Sequence, residues 1–129
     1  MTPHFTGELI LKAIPPNLWE TYAPFGYVTL VTGKPQTLVI PVGFRNDLAS
    51  IPRMLRGLVP QVGRHRSAAV IHDWLYQNQH IHNYSRAQCD AIFSEAMKAS
   101  GVPWHRRAMM YRGVRMGGWV AYNKYTKEI

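Results

Sequence analysis

Cysteine is almost missing from this chain of 129 residues, which holds one, Cys89. No internal disulfide can form, so packing alone must hold the fold, which suits a reducing compartment or a particle assembled in one. Long apolar runs are missing too. The longest fall far short of the ~20 residues that a membrane span needs. The opening Met1-Thr2-Pro3-His4 has no charged run followed by an apolar stretch, so no signal peptide is expected. Acid is scarce. Seven Asp and Glu stand against fifteen Lys and Arg, giving a net charge of +8. That balance favours anionic partners: nucleic acid, a phospholipid surface or an acidic protein.

What is present is globular. Hydrophobic residues make up 47% and charged residues 17%, which excludes a disordered chain. The length fits a single domain, 1–129, able to bury roughly two thirds of its unfolded surface. No repeat or low-complexity tract interrupts it.

Residues 1 to 45 read as a short antiparallel β-sheet. Glu8-Leu9-Ile10-Leu11-Lys12, Tyr27-Val28-Thr29-Leu30-Val31 and Thr37-Leu38-Val39-Ile40 are the expected strands. Pro15, Pro16 and Pro24 keep them short or at an edge. Residues 46 to 63 form a connection in which Ser50 is expected to cap a helical turn. Residues 64 to 122 read as three helices. The first runs from about 66 to 77. The second opens on the capping box Ser85-Arg86-Ala87-Gln88 and ends near Ser100, before Gly101. The third runs from Pro103 to about 122. Strands first and helices after predict an α+β fold. The short link from 77 to 84 makes the first two helices an antiparallel pair.

The candidate site lies on the first helix, in His72-Asp73-Trp74-Leu75-Tyr76. His72 and Tyr76 are four residues apart and Asp73 and Tyr76 three, so one turn presents an imidazole, a carboxylate and a phenol. Adjacent His72 and Asp73 point about 100° apart and bond each other poorly. A second carboxylate is needed to fix the imidazole, and Asp90, about one and a half turns into the second helix, is placed to reach it. A neutral imidazole backed by a carboxylate can act as general base toward water. Asp73 then remains to hold a hard cation such as calcium.

Other constellations are weaker. A Ser50–His72–Asp90 triad can be drawn, but nothing around Ser50 resembles a nucleophile elbow; a helix cap explains Ser50, and a salt bridge to Arg53 or another arginine explains Asp47. His80 and His82 have no third metal ligand and read as a solvated turn. Cys89 reads as a small core residue. In the third helix, arginines alternate with Trp104, Met109, Met110, Met116 and Trp119. The plain reading is an apolar core face with solvated arginines; the other is a basic, aromatic face for an anionic membrane or nucleic acid.

Two resemblances attach to these residues. Gly43-Phe44-Arg45-Asn46-Asp47-Leu48-Ala49-Ser50-Ile51-Pro52-Arg53, Ala68-Ala69-Val70-Ile71-His72-Asp73-Trp74-Leu75-Tyr76 and Met110-Tyr111-Arg112-Gly113-Val114 resemble a bacteriophage and prophage family of unknown function. That resemblance implies a phage protein, located in the virion or the host cytoplasm. The segment from Arg66 to Tyr76, with Ala87-Gln88-Cys89-Asp90, is similar to the disulfide-free phospholipase A2 of some viral capsid proteins. It implies His72 activating water, Asp73 binding calcium, and Asp90 with Tyr76 orienting the site. The stretch Gly57-Leu58-Val59-Pro60-Gln61-Val62-Gly63 has two glycines and departs from the glycine-rich calcium loop of those enzymes.

Three functions follow as expectations. The first is a phospholipase-like hydrolase that acts on host membrane. The second is a structural virion component of the tail or its tip, partnered by other virion proteins. The third, with least support, is a nucleic-acid binder, since no recognised nucleic-acid module is present.

Overall fold

In the computed structural model, residues 2–16, 18–46, 51 and 64–128 are described. The strands come first: β1 (His4–Thr6), β2 (Leu11–Ile14), β3 (Leu18–Thr21), β4 (Phe25–Thr29), β5 (Gln36–Ile40) and β6 (Arg45–Asn46). Four helices follow: α1 (Arg64–Gln77), α2 (Arg86–Ala99), α3 (Trp104–Gly117) and α4 (Trp119–Glu128). The α+β class and the antiparallel α1–α2 pair are as expected. The single expected sheet is instead two sheets of three strands, ordered β1-β4-β5 and β2-β3-β6, with all pairs antiparallel.

Strand β4 is central in its sheet and buried along its whole length. Its Tyr27 faces Phe5 of β1 and Leu38 of β5. Gly26 is required by close approach: a Cβ there would lie 2.6 Å from Thr6 Oγ1 and 2.7 Å from the Leu38 carbonyl. One acid ties this sheet to α2. Glu95 Oε1 accepts the Tyr27 hydroxyl at 2.8 Å and the Thr29 hydroxyl at 2.7 Å, while Oε2 accepts Leu30 N–H at 3.2 Å. In the second sheet, Trp19 of β3 pairs with Ala13 on one side and Asn46 on the other. Thr21 closes it by donating its hydroxyl to the Pro41 carbonyl and accepting Phe44 N–H.

Helix α1 is the centre of the molecule. Ala68, Ala69, Val70, Ile71, Leu75 and Tyr76 are all fully buried, so it has no single apolar stripe. It packs on α2 through a core that includes Ile92, Phe93 and Ala96, and on α4. Its C-terminus is closed by His82. His82 Nε2 donates to the Leu75 carbonyl at 2.7 Å and Nδ1 accepts Tyr84 N–H at 3.1 Å, which fixes the neutral Nε2–H tautomer. His82 is thus a built part of the turn, not a solvated residue, whereas His80 is exposed.

Helix α2 begins with the expected capping box, both bonds present between Ser85 and Gln88. Gly101 follows its end at φ +82°, the left-handed position that favours glycine. The expected third helix is two, broken at Gly118. A Cβ at Gly118 would lie 2.5 Å from the Val114 carbonyl and 2.7 Å from the Tyr76 hydroxyl. The break is therefore where α1 pushes a phenol against the α3–α4 junction. Among the described residues no helix is long and apolar enough to cross a membrane.

Candidate functional site

Four side chains converge on Asp90, which is fully buried. His72 Nε2 lies 2.6 Å from Oδ1, and the Tyr76 hydroxyl donates to the same oxygen at 2.6 Å. Arg115 Nη1 donates to Oδ2 at 2.7 Å, with Arg86 Nη1 at 3.4 Å. Three helices contribute: α1 gives His72 and Tyr76, α2 gives Arg86 and Asp90, and α3 gives Arg115. Arg86 also donates to the carbonyls of Val114 and Arg115, so one guanidinium ties the last turn of α3 to the start of α2.

Local sequence explains the geometry. Tyr76 follows His72 by one helical turn, and their rings lie tilted at 44° with 4.2 Å between centroids. Phe93 lies against the other side of the region, 4.7 Å from His72. Arg86 stands four residues before Asp90 on the same helix face.

The electrostatics favour an ionised Asp90. Burial pushes its carboxyl up, but the hydrogen bond and charge of His72 and the bonds from Tyr76 and Arg115 outweigh that and hold it below the usual carboxylate range. Burial, then the Asp90 hydrogen bond, drives the Tyr76 phenol well above its ordinary value, so it stays protonated and donates. Burial, with the Asp90 charge behind it, pushes the Cys89 thiol up to about 12. An ionised Asp90 can only accept, so His72 donates to it from Nε2.

Asp73 points elsewhere, as its position one residue on from His72 requires. It is fully buried, and Arg66 is in its electrostatic reach. Burial lowers the Arg66 pKa and the Asp73 charge opposes that fall. The guanidinium lies 5.2 Å from the Trp19 ring centroid, and among the described residues its Nε and Nη2 have no hydrogen-bond partner.

The sequence-derived candidates thus divide. His72, Tyr76 and Asp90 are brought together, and buried Asp73 acts electrostatically on Arg66. Asp47, Ser50 and Arg53 lie outside the described residues, as do the turn that Ser50 was expected to cap and the stretch 57–63. Arg86, Arg115 and Glu95 were missed. The spacing of Arg86 from Asp90 was a usable signal. Arg115 and Glu95 reach their partners only through tertiary packing.

Calcium can be tested against this donor set. Calcium takes 6–8 oxygen ligands. Among the described residues no three His, Cys, Asp or Glu side chains gather as metal ligands, and the charge of buried Asp73 acts on the Arg66 guanidinium. The described residues do not fit a calcium shell.

Over residues 19–114 the chain matches the family described as a protein of unknown function, DUF1353. The chain belongs to the DUF1353 family. The matched span runs from β3 into α3 and holds His72, Tyr76, Arg86 and Asp90; Arg115 lies one residue beyond it. No curated protein and no solved structure matches the chain.

Proposed function

We propose that this DUF1353 chain is a phage-encoded lipid-ester hydrolase of the phospholipase A2 kind, acting on host membrane when the phage enters or lyses its host. The observation that carries the reading is the buried His72–Asp90 contact of 2.6 Å, with Tyr76 on the same carboxylate oxygen. This is the arrangement that fixes one imidazole tautomer and stabilises the imidazolium formed on taking a proton.

On this reading the His72 imidazole takes a proton from water, and the water oxygen bonds to the ester carbonyl carbon. The tetrahedral intermediate collapses, the carbon–alkoxide bond breaks, and the imidazolium returns the proton to the leaving oxygen. The products are a fatty acid and a lysophospholipid. Asp90 stays ionised throughout, held so by Arg115 and Tyr76. Calcium is the cofactor that the resemblance calls for, with Asp73 as the ligand it implies.

The test is phospholipid hydrolysis by the purified protein, in calcium and in chelator, wild type beside His72→Gln. Turnover that disappears in His72→Gln while the melting temperature holds supports the reading, and loss in chelator adds calcium to it. No turnover in either condition refutes it.

A second reading is favoured by the saturation of Asp90. Both its oxygens are occupied by donors from three helices, as a packing lock requires. On that reading the protein is a non-enzymatic virion component of the tail or tail tip. Its presence at fixed copy number in purified particles, with His72→Gln unfolding the chain, selects this reading.

A further inference from the structure

The outward face of α3 and α4 carries apolar side chains that have no place in the core. Among the described residues, five of the ten exposed large hydrophobics lie here: Trp104 (73% exposed), Met109 (44%), Met116 (79%), Trp119 (53%) and Val120 (59%). The expected core face of this region is much narrower than its sequence suggests. Met110, Val114 and Ala121 are buried, and the two methionines and two tryptophans named above are not.

Their spacing makes this a face. His105, Met109, Arg112 and Met116 recur at helical intervals and are all exposed, on the side opposite buried Met110 and Val114. Trp119 and Val120 follow directly across the Gly118 break. The polar part is basic. Residues 104–128 hold six Lys and Arg and a single acid, Glu128. Arg115 and Arg107 are turned inward, to Asp90 and to the Val102 carbonyl. Arg106, Arg112, Lys124 and Lys127 stand exposed.

We propose that this α3–α4 face docks on an anionic phospholipid bilayer, with Met109, Met116 and Trp119 entering the headgroup–acyl boundary and the four exposed cations meeting lipid phosphates. The chemistry selects this occupant. A second copy of the chain would bring these cations against their own copies with only Glu128 to offset them. A nucleic acid supplies phosphates but no apolar medium for Met109, Met116 and Val120. A bilayer surface of negative charge supplies both, and tryptophan favours that boundary. The inference rests on the membrane-directed part of the function proposed above but not on its chemistry.

The test uses the wild-type chain and ether-linked phospholipids, which carry no ester bond, so that binding is read without hydrolysis. Co-sedimentation is measured with phosphatidylcholine vesicles, with and without phosphatidylglycerol. Binding is expected only to vesicles containing phosphatidylglycerol. Arg106→Gln/Arg112→Gln/Lys124→Gln should lose roughly a hundredfold in partitioning, about fivefold per residue. Met116→Ser/Trp119→Ser should lose binding at unchanged charge. All five side chains are exposed, so each variant should keep its melting temperature. Equal binding to neutral vesicles overturns the proposal. So does no vesicle binding at all, whether the chain binds duplex DNA instead or forms a dimer that Met116→Ser/Trp119→Ser dissociates. Because hydrolysis is assayed separately on wild-type protein, a failed docking surface and a failed active site give different results.

Discussion

Replacing Asp90 by Asn removes one charge and rearranges four bonds. Asn keeps one carbonyl oxygen, which can still accept from either His72 or Tyr76, and it turns an NH₂ group toward Arg115 and Arg86, which are themselves donors. Two fully buried donors exchange a charged acceptor for a neutral one, a loss of about 1 kcal/mol each. The misplaced amide adds about 1–2 kcal/mol as a buried group without an acceptor. Arg115 and Arg86 are partly exposed and recover water, so their share is small. The sum is about 3 kcal/mol. For a chain of this length the entropy of unfolding gives about 0.27 kcal/mol per degree, so the melting temperature should fall by about 10 °C at pH 7. The acid dependence has a definite sign. The folded Asp90 carboxyl is held below its unfolded value of ~3.9, so its contribution is full above about pH 4 and fades as pH falls through the folded value. The gap between wild type and Asp90→Asn should therefore be constant from pH 7 to about pH 5 and narrow below about pH 4. Thermal melts by circular dichroism across that range check both parts. A shift under about 2 °C at pH 7, or a gap that widens in acid, refutes the account of Asp90 as the joint of three helices.

Other substitutions probe other joints. Gly118→Ala forces a methyl onto the Val114 carbonyl and the Tyr76 hydroxyl and should cost about 1–3 kcal/mol, read as the midpoint of a urea melt. Glu95→Ala strands Tyr27, Thr29 and Leu30 N–H and should cost about 3 kcal/mol, with amide exchange accelerating first in β4. Cys89 should not react with a thiol reagent at pH 8 in the native protein, since burial holds the thiol up at about 12, and should react at once in denaturant.

How far the sequence announces this molecule depends on the range of each interaction. The ends of α2 were legible because the capping box and the glycine after it act within a few residues. His72, Tyr76 and Asp90 could be placed together because helical spacing and a short link settle where each falls. The strand read at 8–12 is found at Leu11–Ile14, and β1, β3 and β6 were not read at all. These are two to four residues long, and their pairing partners lie up to 27 residues away, as Trp19 and Asn46 do, so no local pattern marks them. The break at Gly118 depends on a phenol from α1, and the reach of Glu95 and Arg115 depends on sheet and helix placement. The apolar stripe of the third helix was legible as a stripe, but periodicity cannot say whether such a stripe meets the core or the solvent.

Helix α1 poses an energetic question that bears on function. A helix buried on every side needs only apolar packing, yet this one buries Arg66, His72 and Asp73 among its alanines and leucine. Removing such groups from water costs several kcal/mol per ion, and well-packed apolar replacements of similar volume are often as stable or more so. Packing alone therefore accounts for the position of α1 but not for its composition. Arg66 sharpens the point, since among the described residues two of its buried nitrogens have no acceptor and its own pKa is lowered by burial. His72 and Asp90 repay part of their cost through a saturated network that fixes one tautomer. A fixed tautomer adds nothing to packing that an isosteric apolar residue would not, but it is what a general base requires. On the proposed reading, this ionisable composition is the one that a chemical role for His72 calls for.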